Sequence, residues 1–196
     1  MIHYRLCRHP EVNFISSAVA TDAWEQRRLG ELGVARSGVG FPEHEQGGPQ
    51  GIPFFKVSDM NFVGNEREMV WARNYVTAEQ MTHNSWRAIL DVPALLFAKV
   101  GAAVMLNRKR LVTAPFLSDN NTMSYSFGPT WDTKFGYALF EIVYLPSLVQ
   151  IGALPSYSAS DVESMRIARP IEVAEQQQIG AFFERLDQLI ALHQRA

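Results

Sequence analysis

Cysteine and long apolar runs are scarce in this sequence. Cys7 is the single cysteine among 196 residues, which excludes an internal disulfide framework and a cysteine-rich zinc site and suits a reducing cytoplasm. No apolar run reaches the length of a membrane span, and residues 1–20 lack the apolar core of a signal peptide. We therefore expect a cytoplasmic protein without a membrane partner.

The sequence also has no excess of positive charge, with 18 Lys and Arg against 20 Asp and Glu. The formal net charge is −2, whereas many nucleic-acid-binding domains carry a large positive excess. This counts mildly against DNA binding without excluding it, because a local basic patch can supply the electrostatic attraction. The length, with 47% hydrophobic and 19% charged residues, is typical of one globular domain plus an appendage.

The sequence motifs that would mark an enzyme are missing as well. There is no phosphate-binding loop, no Asn-Pro-Pro-aromatic methylase motif, no HExxH and no GxSxG. The glycines of Gly38-Val39-Gly40 lack a third glycine and a following Lys-Ser/Thr. Glu79 and His83 are four residues apart, but a lone pair of this kind is usually part of a helix surface. We predict no catalytic residue, no metal site and no cofactor.

The most regular pattern in the sequence covers residues 172–196. Apolar residues recur there in steps of three and four, as in a coiled-coil helix. Pro170 marks the boundary, and Glu175 suits the positive end of a helix dipole. We predict a helix from Val173 to Arg195, about 33 Å long. Its apolar stripe consists of Ile179, Phe182, Phe183, Leu186, Leu189 and Ile190.

Two arrangements are open to such a helix. It could fold back onto its own domain, or it could leave the globular body and pack against another helix. The stripe runs on to the last residues without a Gly or Asn stop signal, which favours the second arrangement. We therefore expect an assembly helix.

The rest of the sequence predicts an α+β domain. Segments 52–57 and 91–104 have the composition of strands, and glycines and prolines between them and their neighbours indicate long loops. Thr77 suits the N-cap of a short helix. Residues 1–21 show no clear periodicity and predict a loosely ordered tail.

The sharpest charge anomaly lies in residues 95–118. This segment has no acidic residue, and its basic residues are Lys99, Arg108, Lys109 and Arg110. The last three follow Asn107 in a predicted turn, which is either a solvated hairpin tip or a contact for an anion such as a DNA phosphate. Lys99, inside an apolar strand, either extends its ammonium to solvent at the edge or faces a bound anion.

Other polar residues lie at predicted strand ends. Lys56, Ser58 and Asn61 follow the strand at 52–57, and Asn120 and Asn121 follow the second half of the basic segment. Asn amides pair with adenine edges, and Arg or Lys pairs with guanine. The same residue types are common in turns, so both roles are open.

Several stretches resemble the specificity subunits of type I restriction–modification systems. In that family's order they are WEQRRLGEL (24–32), GIPFFKVSDMN (51–61), AKVGAAVMLNRKR with the downstream DNN (98–121), GALPSYSASDVESMRI (152–167) and the spacer-helix sequence EQQQIGAFFERLDQLIALHQR (175–195). A complete subunit has two target-recognition domains and two spacer helices. With one of each, this chain resembles a half-subunit or a truncated form.

The resemblance implies a non-catalytic protein with two parts. Residues 1–170 would form a target-recognition domain with a twisted, mostly β core and short helices, and residues 171–196 would form a spacer or dimerisation helix. The domain would bind a short half-site in double-stranded DNA, while the helix docks DNA-methyltransferase subunits. S-adenosylmethionine and ATP chemistry would belong to those subunits and to the restriction subunit. The candidate DNA-binding residues are Lys56, Ser58, Asn61, Lys99, Asn107, Arg108, Lys109, Arg110, Asn120 and Asn121.

Two further functions remain open. A pure oligomerisation adaptor would need the helix but not the basic segment, and a truncated subunit could be a silent cassette. If the helix forms a homodimer, the two recognition domains should prefer an interrupted palindrome in the DNA.

Overall fold

The computed structural model describes residues 23–150 and 155–193. The tail predicted for residues 1–21, Cys7 and the predicted helix end at Arg195 lie outside the described residues. The chain order begins with strand β1 (Trp24–Arg28), a short helix α1 (Leu29–Leu32) and strand β2 (Gly33–Ser37). Alternate residues of β1 are exposed, whereas Leu29 and Leu32 are buried, so the chain enters the core at α1.

The main sheet has four antiparallel strands, which are in spatial order β2, β8 (Thr122–Phe127), β5 (Ala94–Ala98) and β6 (Lys109–Val112). Strand β5 is buried along its whole length, because it is central and covered on both faces. The polar strand β8 is buried too, and the Tyr125 hydroxyl donates a hydrogen bond of 2.8 Å to the Leu29 carbonyl. Burial raises the pKa of Tyr125.

A second sheet has the order β4-β3-β7. It consists of β3 (Ile52–Phe55), β4 (Asn74–Val76) and β7 (Leu117–Ser118), with β3 and β7 parallel. The Phe54 ring is buried, stacks on Phe41 at 3.7 Å between ring centroids and contacts Trp86 edge-on. The parallel pair brings the chain after Phe55 next to the turn after Ser118.

Three more helices precede the C-terminal one. Helix α2 (Ala78–His83) begins as predicted at Thr77, whose hydroxyl accepts a hydrogen bond from the Gln80 amide. Helix α3 (Thr133–Ile142) buries Phe135, Tyr137 and Phe140 against the main sheet, and α4 (Ala159–Ser164) packs on α1. Strand β9 (Arg166–Pro170) then pairs antiparallel with β1.

The long C-terminal helix α5 covers Val173–His193. It packs on α3 and β9, so the β1–β9 ribbon and α3 form the base from which it extends. The prediction of an α+β domain with a β-rich core, short helices and a long C-terminal helix is confirmed. In the part of the chain described here, no helix is both long and apolar enough to cross a membrane.

Candidate DNA interface and assembly surface

Six of the predicted DNA-binding residues come together at one end of the main sheet, where β5 ends and β6 begins. Lys56, Ser58 and Asn121 line a shallow depression of about 330 Å³. Asn61 and Arg108 line a smaller cavity that shares Val57 and Ala103 with it. Lys99 lines a third depression, which shares Val100 with the first. We call this surface the polar face; it consists of Lys56, Ser58, Asn61, Lys99, Arg108 and Asn121.

A short 3-10 helix, Val57–Asn61, carries Ser58 and Asn61, and Lys56 is its N-cap. Its buried Asp59 accepts a hydrogen bond of 2.9 Å from the Lys56 amide, and the Asn65 side chain donates to the Asp59 carbonyl at 2.8 Å. Burial raises the pKa of the Asp59 carboxyl. Because Asp59 and Met60 point into the core, Ser58 and Asn61 are left exposed on the opposite side.

Two cations of the polar face have polar partners but remain accessible. The Arg108 guanidinium donates to the Asn61 side-chain oxygen at 2.6 Å, and the Lys99 ammonium donates to the Ser37 hydroxyl at 3.0 Å. Both contacts are at the protein surface, where they hold the charges in place without neutralising them. A cation held in this way can still bind a phosphate oxygen.

The structure corrects the prediction for Lys109. This residue is 1% exposed, and its ammonium donates a hydrogen bond of 2.7 Å to the Val143 carbonyl. Successive residues of a strand face opposite sides, and Lys109 lies on the inward side of β6, paired with Phe97. Its ammonium therefore cannot contact DNA in this arrangement, although the flanking Arg108 can.

Asn107 and Arg110 also differ from expectation. Asn107 has a positive φ of 50°. Its side-chain Nδ2 donates a hydrogen bond to the Val143 carbonyl, and its Oδ1 accepts one from the Leu145 backbone amide, both at 3.1 Å. It is thus a turn residue that ties the start of β6 to the chain after α3. Arg110 is half-buried and donates to the Lys109 carbonyl at 3.0 Å, and burial lowers its pKa. Asn120, by contrast, is exposed at the tip of the β7–β8 turn.

Replacing Lys109 tests this correction. We expect Lys109→Met to leave DNA affinity and its salt dependence unchanged, since the side chain does not reach the surface. The neighbouring Arg108→Met is the matched control and should reduce the slope of log affinity against log salt by about 0.9. Titrations with duplex DNA between about 50 and about 200 mM salt measure both slopes. A reduced slope for Lys109→Met would contradict the burial of its ammonium.

Lys109 should also make stability depend on pH. Burial lowers its pKa from 10.5 to about 8, with Glu141 opposing the shift. Between these values the unfolded chain binds a proton that the folded protein does not, so this group's contribution to stability rises with pH, by at most about 1.4 kcal/mol per unit. We expect the free energy of unfolding of the wild type to rise relative to that of Lys109→Met across this window. Denaturant titrations at a series of pH values measure the difference, and a constant difference would contradict the assignment.

The N-terminal half of α5 is docked on its own domain. The Gln176 side chain is fully buried, donates to the Thr130 and Pro170 carbonyls at 3.2 and 3.0 Å, and accepts from the Asp132 amide at 3.0 Å. One turn later the buried Gly180 packs against the first turn of α3. Of the two arrangements open to the helix, folding back onto its own domain is therefore the correct one for this half.

Gly180 should tolerate no side chain. A Cβ atom there would lie 2.5 Å from the Phe135 amide nitrogen and 2.8 Å from the Lys134 Cβ. Alanine normally stabilises a helix relative to glycine by about 1 kcal/mol, but here the clash should reverse the sign and cost about 1–3 kcal/mol. Thermal unfolding of Gly180→Ala measures this, with the exposed Gln178→Ala as the control. A stabilised Gly180→Ala would show that the two helices do not approach this closely.

The C-terminal half of α5 exposes its apolar stripe. Ile179 packs against the core, but Phe182 is 60%, Phe183 46% and Leu186 38% exposed, and Leu189 and Ile190 are exposed as well. Beside the stripe lies an apolar groove of about 560 Å³ between α3, β9 and α5. Its lining includes Trp24, Phe135, Leu139, Ile142, Ile179 and Phe183. Exposed apolar surface of this extent is typical of an interaction site.

Ion pairs fix the direction of α5 beyond Gly180. Lys134 pairs with Glu184 at 2.7 Å, and Arg67 pairs with Asp187 at 2.8 Å while its guanidinium lies 4.6 Å from the centre of the Tyr137 ring. The backbone of Arg67 is itself bonded to the edge strand β6 through Leu111 at 2.9 Å. Because β6 begins beside Arg108, the helix direction is tied to the sheet that carries the polar face.

Within residues 23–150 and 155–193, no group of three or more His, Cys, Asp or Glu side chains is arranged to hold a metal ion.

The sequence analysis did not single out Asp119, which lines the depression of the polar face together with Lys56 and Asn121. Its position at the start of the Asp-Asn-Asn turn was the available signal.

Comparison with solved structures finds the same fold in subunits of type I restriction–modification (R-M) systems. The first comes from a structural study of complex assembly and conformational transition of the type I R-M system. It has a TM-score of 0.69 and 17% identity to this chain, and the match covers 96% of this chain and 43% of the matched chain. The HsdS subunit from Thermoanaerobacter tengcongensis gives a TM-score of 0.65 at 18% identity over 92% of this chain and 41% of its own.

A third structure, the S subunit of a type I R-M system from M. genitalium, has a TM-score of 0.56 at 16% identity, covering 86% of this chain and 41% of its own. No protein-family model and no curated protein matches by sequence. At these identities the likeness shows the fold alone. The chain spans less than half the length of the solved structures that it matches.

Proposed function

We propose that this chain is a non-catalytic DNA-recognition subunit of a type I restriction–modification complex. Residues 1–170 act as the target-recognition domain and residues 171–196 as the spacer helix. The support is the shared fold together with two separate surfaces, the polar face and the exposed stripe of α5. The protein acts in the cytoplasm, where its single cysteine suits the reducing environment.

The observation that carries the proposal is the convergence of the polar face. Its residues come from four separate parts of the chain: the 3-10 helix at 57–61 with Lys56, the end of β5, the start of β6 and the β7–β8 turn. Cations and amides are thus concentrated in a protein whose net charge is −2. Cations of this kind contact phosphates, and amides and hydroxyls contact base edges.

The stripe of α5 is the surface for assembly. Five large apolar side chains on one face of a helix that is otherwise anchored to its domain form a seam for another helix. Methyltransferase subunits, and through them the restriction subunit, dock on this helix and bring the S-adenosylmethionine and ATP chemistry that this chain does not perform. Two copies of the chain pair through the same stripe, with their helices antiparallel and their polar faces at opposite ends.

Fluorescence anisotropy with random-sequence duplex DNA at low salt tests the proposal. The full chain should bind, and its affinity should fall linearly with log salt concentration. An adaptor that uses the helix alone would give no anisotropy change at any salt concentration, while light scattering would still show oligomers. A silent, non-binding cassette would give the same flat titration, so that outcome would reject DNA recognition in either form.

A further inference from the structure

The depression on the polar face contains a carboxylate. Asp119 is 5% exposed and lines the depression together with Lys56, Ser58 and Asn121. Among the described residues of this lining, Asp119 is the acidic one and Lys56 the basic one. If the polar face binds DNA, an acidic group in this depression has to face something other than a phosphate, because two anions repel each other and lose solvation together.

The position of Asp119 is fixed by three segments of the chain. Its amide donates to the Phe55 carbonyl at 3.0 Å, and its carbonyl accepts from the Thr122 amide at 3.0 Å and hydroxyl at 2.7 Å. Gly38 packs so closely that an added Cβ atom would lie 2.0 Å from the Asp119 carbonyl oxygen. Strands β3 and β8 and the end of β2 therefore preorganise this carboxylate.

The carboxylate has acceptor capacity to spare. It accepts hydrogen bonds from the Asn121 backbone amide and from the Asn121 side chain, both at 3.3 Å, which is long for such bonds. A carboxylate offers about four acceptor sites, so the carboxylate can accept a further, shorter bond. Burial raises the pKa of Asp119, while hydrogen bonds from Asn121, the charge of Lys56 and a hydrogen bond from Thr122 oppose that shift.

We propose that Asp119 is a specificity-determining residue that accepts a hydrogen bond from the exocyclic amino group of a cytosine or an adenine. These amino groups are the hydrogen-bond donors that bases present in the major groove. Guanine O6 and N7 and thymine O4 are acceptors, and each would leave the carboxylate desolvated without a donor. The inference rests on the proposed function and adds one base of defined chemistry to the recognised half-site.

Sequence selection with the full chain and copurified methyltransferase subunits tests the inference. From a random duplex pool, the wild type should prefer one orientation of one base pair at a single position, with the other three possibilities weaker by about 5- to 150-fold. Asp119→Ala, which removes the acceptor, should lose the preference at this position and keep it elsewhere. Asp91→Ala is the matched control, because Asp91 lies before β5, at the end of that strand opposite Lys99.

A second measurement keeps the test independent of how well the variant folds. In the selected site, the amino-bearing base is replaced by an analogue without that amino group, purine for adenine or 2-pyrimidinone for cytosine. This deletion should weaken DNA binding by the wild type about 5- to 150-fold and leave binding by Asp119→Ala unchanged. The base that gives the effect also identifies which of the two donors is bound.

Two outcomes would overturn the inference. They are no effect of the analogue on the wild type at any selected base pair, and an Asp119→Ala variant whose affinity falls equally for all sequences. The last result, with a lowered unfolding temperature, would show that Asp119 only stabilises the turn. If the wild type selects no sequence at all, the proposed function itself fails, which is a different result.

Discussion

Replacing Phe183 and Leu186 together by aspartate is expected to give a folded monomer that no longer pairs or binds partners. Both side chains lie on the stripe of α5 and are 46% and 38% exposed in the single chain, so their removal costs the isolated fold little. In a packed seam the same positions are desolvated, and a carboxylate there costs several kcal/mol. Size-exclusion chromatography with light scattering measures the mass, alone and with the methyltransferase subunits.

The control for this variant adds the same charge elsewhere on the helix. Gln178→Asp with Gln188→Asp places two carboxylates at exposed positions outside the stripe, and it should keep the mass and the partners of the wild type. An unchanged mass for Phe183→Asp with Leu186→Asp would show that the stripe does not hold the assembly. Circular dichroism on both variants confirms that any loss of mass is not loss of fold.

Reversing two charges of the polar face is expected to have the largest effect on DNA binding. Each lost phosphate contact lowers the salt slope by about 0.9, which corresponds to roughly tenfold in affinity at about 0.1 M salt. Lys99→Glu with Arg108→Glu should therefore reduce the slope by about 1.8 and the affinity at least about 60-fold for every sequence. Anisotropy titrations over a range of salt concentrations measure both quantities.

The β1–β9 ribbon provides the matched control for this pair. Arg28 and Arg166 are exposed and face each other across that ribbon. Arg28→Glu with Arg166→Glu changes the net charge by the same amount but lies outside the polar face. If both double variants lose affinity equally, the attraction is a property of total charge, and the polar face has no special role.

The long helix and the fold class could be predicted from the sequence because their signals are local. The heptad pattern of α5 is continuous, and its stripe is visible without knowing any tertiary contact. What the pattern could not show is that Gln176 and Gly180 anchor the first half of the helix to α3. That docking depends on the absence of a side chain at Gly180 and on the Thr130 carbonyl, which is 46 residues from Gln176 in the sequence.

The polar face was predictable in its residue types but not in their orientation. Arg108 and Lys109 are adjacent in the sequence and have similar chemistry, yet one is accessible and the other buried. Arg108 lies just before β6, whereas Lys109 is the first residue of that strand, is paired with Phe97 and faces inward. Asp119 joins Lys56 only through the parallel pairing of β3 with β7, which no local pattern indicates.

Selection of bound sequences from a random duplex pool, with the full chain and its methyltransferase subunits, tests the central claim most directly. If the chain pairs through α5 and each copy binds a half-site with its polar face, the protein's two-fold symmetry requires two-fold symmetry in the DNA. The account predicts an interrupted palindrome with a fixed gap. A single asymmetric element, two different half-sites or no enrichment at all would contradict it.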